Sequence, residues 1–118
     1  MNLFQRLKNV YTGNLQPTVH IPTGPHTPPV RRRYRFFGLV QGVGFRYEAK
    51  MLAAQLGLVG WAQNQGDGSV LIEIEGEASC INEFLRAMQS VPRFDITGLQ
   101  TEDLPLLGTE TAFQVVYR

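Results

Sequence analysis

The chain has 118 residues, 43% of them hydrophobic, with a formal charge of +1 and a single cysteine. That length suits one domain with its own core. The charge balance excludes a strongly basic nucleic-acid binder or an acidic-membrane binder, Cys80 alone excludes an intrachain disulfide, and no segment approaches the roughly 18 apolar residues of a membrane span.

The opening MNLFQRLKNVYTGN lacks the long apolar run of a secretion signal, so a cytoplasmic protein is expected. Leu3, Phe4, Leu7 and Val10 could line one side of a short helix, marginal by itself in water. Five of the seven prolines fall in the first 30 residues. Such punctuation predicts an extended, flexible extension over residues 1–30, followed by a compact domain over residues 31–118. His20 and His26 sit in the extension without Cys or acid nearby, and no metal site is expected there. Arg31, Arg32 and Arg33 read as a solvated strand entry.

From Arg33 to Val40 the two-residue period puts Tyr34, Phe36, Gly38 and Val40 on one face and Arg35, Phe37 and Leu39 on the other. Both faces are largely apolar after Arg35, which predicts an interior strand. Phe45, Ala49, Leu52, Ala53 and Leu56 then recur at helical spacing, with Gly57 as the stop. Val59 to Asn64 reads as a second strand, and NQGDGS as a tight hairpin connection. In the third strand, Ser69 to Glu75, Val70, Ile72 and Ile74 mark the core side. Ile81, Phe84, Leu85 and Met88 form a second helical stripe, bordered by Cys80 as a packed thiol. Phe94 to Thr101 and Thr111 to Tyr117 are extended, with EDLPLLG unassigned between them. The expected fold is an α/β (α+β) sandwich, β-α-β-β-α-β with an additional C-terminal strand.

Two stretches carry chemistry. In GLVQGVGFR, Gly38 to Arg46, a strand gives way to a helix through a glycine-rich turn. Gly42 and Gly44 can take positive φ and let successive N–H groups converge, and the helix N-terminus adds more donors. The planar fork of Arg46 can grip two phosphate oxygens. A plain turn with Arg46 solvated or paired to Glu48 is the simpler alternative. The run lacks the GKS or GKT of a nucleotide-binding P-loop and the Rossmann fingerprint, so no nucleotide is implied. The second stretch is GWAQNQGDG. If the first and second strands run the same way with the third between them, Asn64 comes toward the Gly42–Arg46 loop. Its amide can hold a water, although a plain hairpin former fits the composition equally.

GLVQGVGFR followed by AAQLGLVGWAQNQGDGSV resembles the signature of the acylphosphatase family. The likeness spans about Arg32 to Arg118 and is strongest from Gly38 to Gly76. It implies a ferredoxin-like sandwich and hydrolysis of the carboxyl–phosphate bond of small acylphosphates, with no metal and no organic cofactor. The family's phosphate-binding arginine falls on Arg46 and its water-orienting asparagine on Asn64. The amides of Gln41, Gly42, Val43, Gly44, Phe45 and Arg46 would form the anion cradle. The implied partner is a small-molecule acylphosphate, with phosphate or sulfate able to enter the same site; no membrane or nucleic-acid partner is expected, and a monomer is.

Three features depart from the family pattern. Ala62 follows Trp61 where valine is common, VPRFDITGLQ replaces the usual small-residue pattern, and the proline-rich lead-in is extra. Two other readings stand beside the hydrolase: a catalytically silent binding domain of the same fold, and a carbamoyl-phosphate-processing domain of the kind found at the start of large hydrogenase-maturation proteins. The chain shows no zinc-finger-like cysteines, which sets it apart from a full maturation factor.

Overall fold

The structure is a computed structural model that describes residues 18–117. The helical stripe Leu3, Phe4, Leu7 and Val10 lies outside the described residues. Seven elements follow in order: β1 (Pro29–Leu39), α1 (Phe45–Gln55), β2 (Val59–Asn64), β3 (Val70–Glu77), α2 (Ala78–Gln89), β4 (Asp95–Leu104) and β5 (Phe113–Val116). The sheet order is β4-β1-β3-β2-β5. β3 is antiparallel to both β1 and β2, while β5 lies parallel to β2. This is the ferredoxin-like β-α-β-β-α-β arrangement with one added strand.

Both helices cover one face of the sheet. Tyr34, Phe36 and Val40 of the first β-α unit, Val70, Ile72 and Ile74 of β3, and Ile81, Phe84 and Met88 of α2 are all fully buried between the layers. Their positions follow the two-residue period of the strands and the 3.6-residue period of the helix. Ala62, too, is fully buried, within this core. β1 lies between β4 and β3, the interior place its pattern predicts, with helices on one of its two faces. Leu39 is 57% exposed, and Arg33 and Arg35 share its open side. Among the described residues no helix lies on that side, and Leu39 belongs to a water-facing surface.

β1 also starts four residues before the predicted Arg33, because Pro29 to Arg32 pair in register with Glu77 to Ile74. It ends in a register shift against β4 between Phe37 and Gly38. Gly38 has φ 116°, and a Cβ there would fall 2.0 Å from the Asp95 carbonyl oxygen. A residue other than glycine would force the two strands apart where the functional loop begins.

The arginine run is not a solvated entry. Arg31 is only 4% exposed, beneath three carboxylates on the open side of the sheet. It donates to Glu73 at 3.0 and 3.2 Å, to Glu75 at 3.3 Å and to Glu110 at 2.5 Å. Glu75 also accepts from the N–H groups of Leu107 and Gly108, at 2.7 and 3.0 Å. The network therefore pins residues 105–112, the connection that must cross from edge strand β4 to edge strand β5. Isolated surface pairs contribute little, but a buried cation with several satisfied acceptors is costly to break.

Residues 18–28 run beside α2. Arg86 donates to the Thr18 carbonyl at 2.6 Å, and Glu83 accepts from the His20 N–H at 2.6 Å. His26 pairs with Glu77. At the start of α2, no side chain of the helix's own N-cap residue closes the first turn. The Pro28 carbonyl accepts from Ala78 N–H and Thr27 Oγ1 accepts from Ser79 N–H, at 3.3 and 3.1 Å. The lead-in thus supplies acceptors for orphan donors of the helix.

Replacing Arg31 by methionine is expected to cost about 3 kcal/mol in urea unfolding, because the carboxylates around it lose a shared partner. Acid sensitivity should follow from the same network and from Glu83. Burial works to raise the Glu73 carboxyl, yet hydrogen bonds from Arg33 and Arg31 outweigh it and leave it below its ordinary value. Glu75 is lowered likewise, against burial, chiefly by the Leu107 and Gly108 N–H groups. Arg86, against a smaller opposing effect of burial, holds Glu83 at about 2 instead of 4.5. Depressed carboxylates contribute stability above their unfolded values and lose it as they protonate. Thermal midpoints should therefore fall as pH drops from about 4.5 toward 2, and Arg31→Met should flatten that fall.

Candidate active site

β1 and β2 both run against β3, so they run parallel to each other and end on the same edge of the sheet. The glycine loop leaves β1 at that edge, and Asn64 closes β2 beside it. Between them lies a concavity of about 220 Å³ lined by Val40, Gly42, Gly44, Phe45, Arg46, Tyr47, Asn64 and Tyr117. The predicted residues Gly42, Gly44, Phe45, Arg46 and Asn64 are thus brought together. Gln41 and Val43 are in the loop but do not line the concavity.

Gly42 and Gly44 have φ 74° and 79°, in the left-handed region. Gly44 is the N-cap of α1, and no side chain caps the helix. The first helical bond runs from Glu48 N–H to the Gly44 carbonyl at 3.0 Å. The N–H groups of Phe45, Arg46 and Tyr47 precede it and have no acceptor within the helix. The dipole adds partial positive charge at the same point. The Phe45 ring anchors the turn in the core, edge-on to Phe36 at 5.0 Å and tilted against Phe94 at 4.8 Å.

Two side chains hold the loop from outside. Gln41 Nε2 donates to the carbonyls of Gln65 and Ser69 at 2.8 and 2.9 Å, tying the loop to the β2–β3 hairpin. Arg93 Nε donates to the Val43 carbonyl at 2.8 Å, and its Nη2 to Glu48 Oε1 at 2.8 Å. Glu48, with a side chain only 4% exposed, is engaged there and does not pair with Arg46. Arg46 instead donates to the Val116 carbonyl at 3.4 Å, and its guanidinium lies 4.7 Å from the centre of the Tyr117 ring. That stacking leaves much of the fork's hydrogen-bonding capacity unspent.

Asn64 stands on the helix-covered side of β2, two residues past fully buried Ala62. Its Oδ1 is buried without a hydrogen-bond partner among the described residues. An orphan acceptor of this kind marks a place for a donor. Among the described residues, no group of three or more His, Cys, Asp or Glu side chains could hold a metal.

Arg93, Tyr117 and the Gln41 side chain went unread in the sequence. Arg93 lies in VPRFDITGLQ, the stretch that breaks the family pattern, so a signal was present. Tyr117 follows the added strand, whose parallel place beside β2 carries it to Arg46. Nothing in the sequence indicated which way Gln41 would turn.

The chain is similar to an acylphosphatase of Leuconostoc mesenteroides subsp. mesenteroides, 44% identical over 75 residues that cover 62% of this chain and 83% of that one. Its fold is similar to the crystal structure of an acylphosphatase from Bacillus subtilis, with TM-score 0.70 and 34% identity, covering 75% of this chain and 99% of that one. It is also similar to part of full-length HypF in its phosphate- and nucleotide-bound form, with TM-score 0.70 and 28% identity over 80% of this chain and 12% of that one. The family model described as Acylphosphatase matches residues 32–115, the stretch from β1 to β5 that builds the concavity. The chain belongs to the acylphosphatase family.

Proposed function

We infer that the protein is an acylphosphatase: it hydrolyses the carboxyl–phosphate bond of small acylphosphates. The observation that carries the reading is Asn64, whose Oδ1 is buried and unpartnered, lining the same concavity as the glycine loop and Arg46. A phosphoryl dianion has no proton to give that oxygen, whereas a water has two. The site therefore divides its work. Loop amides and Arg46 receive the phosphoryl oxygens, and Asn64 receives the water.

In the reaction R–COO–PO₃²⁻ plus H₂O gives R–COO⁻ plus H₂PO₄⁻. The bond to phosphorus breaks on the carboxylate side as the water oxygen bonds to phosphorus. Both water protons end on the phosphate, which serves as their acceptor. Glu48 is engaged by Arg93 and is not the base. Carboxylate is a weakly basic leaving group and needs little acid assistance. Phosphoryl transfer through a loose transition state depends mainly on alignment and on stabilising charge at the equatorial oxygens. The amides of Gly42, Gly44, Phe45 and Arg46 and the Arg46 guanidinium supply that stabilisation, and Asn64 aligns the water opposite the leaving group.

The reading needs no metal or organic cofactor. We propose residues 31–118 as the catalytic unit and residues 1–30 as an extension to it. A cytoplasmic, monomeric protein goes with this proposal; with Cys80 free, the fold needs no oxidising compartment. Among the described residues no helix is long and apolar enough to cross a membrane.

Phosphate release from acetyl phosphate and benzoyl phosphate tests the assignment. Asn64→Ala should lower kcat by about 100-fold or more while leaving inhibition by inorganic phosphate within about threefold. Arg46→Ala should lose both turnover and phosphate inhibition. Full activity in Asn64→Ala would reject the water-positioning role. Wild-type turnover should also persist undiminished in excess EDTA; a loss restored by a divalent cation would reject metal independence.

A further inference from the structure

We propose that Arg93 is a positioning residue for the phosphoryl group. It holds the Val43 carbonyl so that the Gly44 N–H is turned into the anion cradle. The proposal rests on the acylphosphatase reading above and adds a residue from outside the two signature stretches.

Gly44 is the weak point of the cradle. Without a Cβ it has wide backbone freedom, and at φ 79° it sits where the loop turns into α1. An amide nest binds an anion only while its N–H groups converge. Both peptide groups flanking Gly44 are held. The one behind it is held by Arg93 Nε, which donates to the Val43 carbonyl at 2.8 Å. The one ahead is held by Glu48 N–H, which donates to the Gly44 carbonyl at 3.0 Å. In a trans peptide the carbonyl and the N–H point in opposite directions. Drawing the Val43 carbonyl toward Arg93 therefore sends the Gly44 N–H the other way. Gly44 lines the concavity with Arg46 and Asn64, and that is the side left to its N–H.

Arg93 is itself fixed on two more sides. Its Nη2 donates to Glu48 Oε1 at 2.8 Å, and its guanidinium lies 4.8 Å from the centre of the Phe94 ring. Phe94 in turn packs on Phe45 inside the core. One planar guanidinium thus joins the α2–β4 connection, the glycine loop and α1. Lysine has a single ammonium head and cannot reproduce this two-pronged hold. Glu48 also neutralises the charge of Arg93, so its effect on phosphate comes through geometry and not through its own field.

The test uses the full chain, with inorganic phosphate as the probe and ¹H–¹⁵N NMR as the readout, alongside kcat and KM for benzoyl phosphate. In wild type, phosphate should shift the amide signals of Gly44, Phe45 and Arg46. In Arg93→Lys, which keeps the charge, phosphate should bind about tenfold more weakly and the Gly44 response should shrink selectively; kcat/KM should fall by about tenfold or more. Glu48→Ala should also weaken phosphate binding, because Arg93 loses its second anchor. If Arg93 acted through charge alone, Arg93→Lys would bind as wild type and Glu48→Ala would bind more tightly; either result overturns the proposal. Should Glu48→Ala not fold, Arg93→Lys alone decides. Absence of phosphate binding in wild type would instead overturn the acylphosphatase reading itself and this inference with it.

Discussion

The site depends on β3 lying between β1 and β2 and running against both. Antiparallel pairing on each side forces β1 and β2 into the same direction, so their C-terminal ends share one edge of the sheet. A loop of amides and an asparagine 18 or more residues further along the chain then meet without either needing a long excursion. If one of these pairings were lost, Gly44 and Asn64 would no longer face one concavity. The buried alternation Val70, Ile72 and Ile74 keeps β3 in register, since a one-residue slip would turn all three away from the helices.

Around that frame the loop is held by groups that do not enter the concavity, Gln41 on the hairpin and Arg93 on the Val43 carbonyl, while the Phe45 ring anchors it in the core. The inner surface is left largely to backbone donors and Arg46. This division has a physical reason. Backbone amides are short, rigid dipoles, so they cost little reorganisation when charge develops on a phosphoryl group, provided something else keeps them in place.

Much of this was legible in the sequence wherever the signal is local. The alternation in β1 and β3, the apolar stripe of α2, the hairpin residues and the glycine-to-helix turn all depend on neighbours a few positions apart. Their element order was enough to bring Asn64 toward the loop. What was not legible depends on contacts between distant residues. Arg31 reads as a surface charge until β1 is extended to Pro29 and the register places Glu73 and Glu75 beside it. Arg93 reads as a loop residue until the α2–β4 connection meets α1. Thr18 to Pro28 reads as a bare proline-rich stretch until α2 offers it an uncapped first turn.

The buried ion network sits at the start of β1 and the end of β3, whereas the anion loop leaves the end of β1. Glu75 and its partner Arg31 therefore stand at the opposite end of the sheet from the groups assigned to phosphate. The share of acid tolerance that comes from this network can then evolve, or be engineered, separately from affinity for substrate.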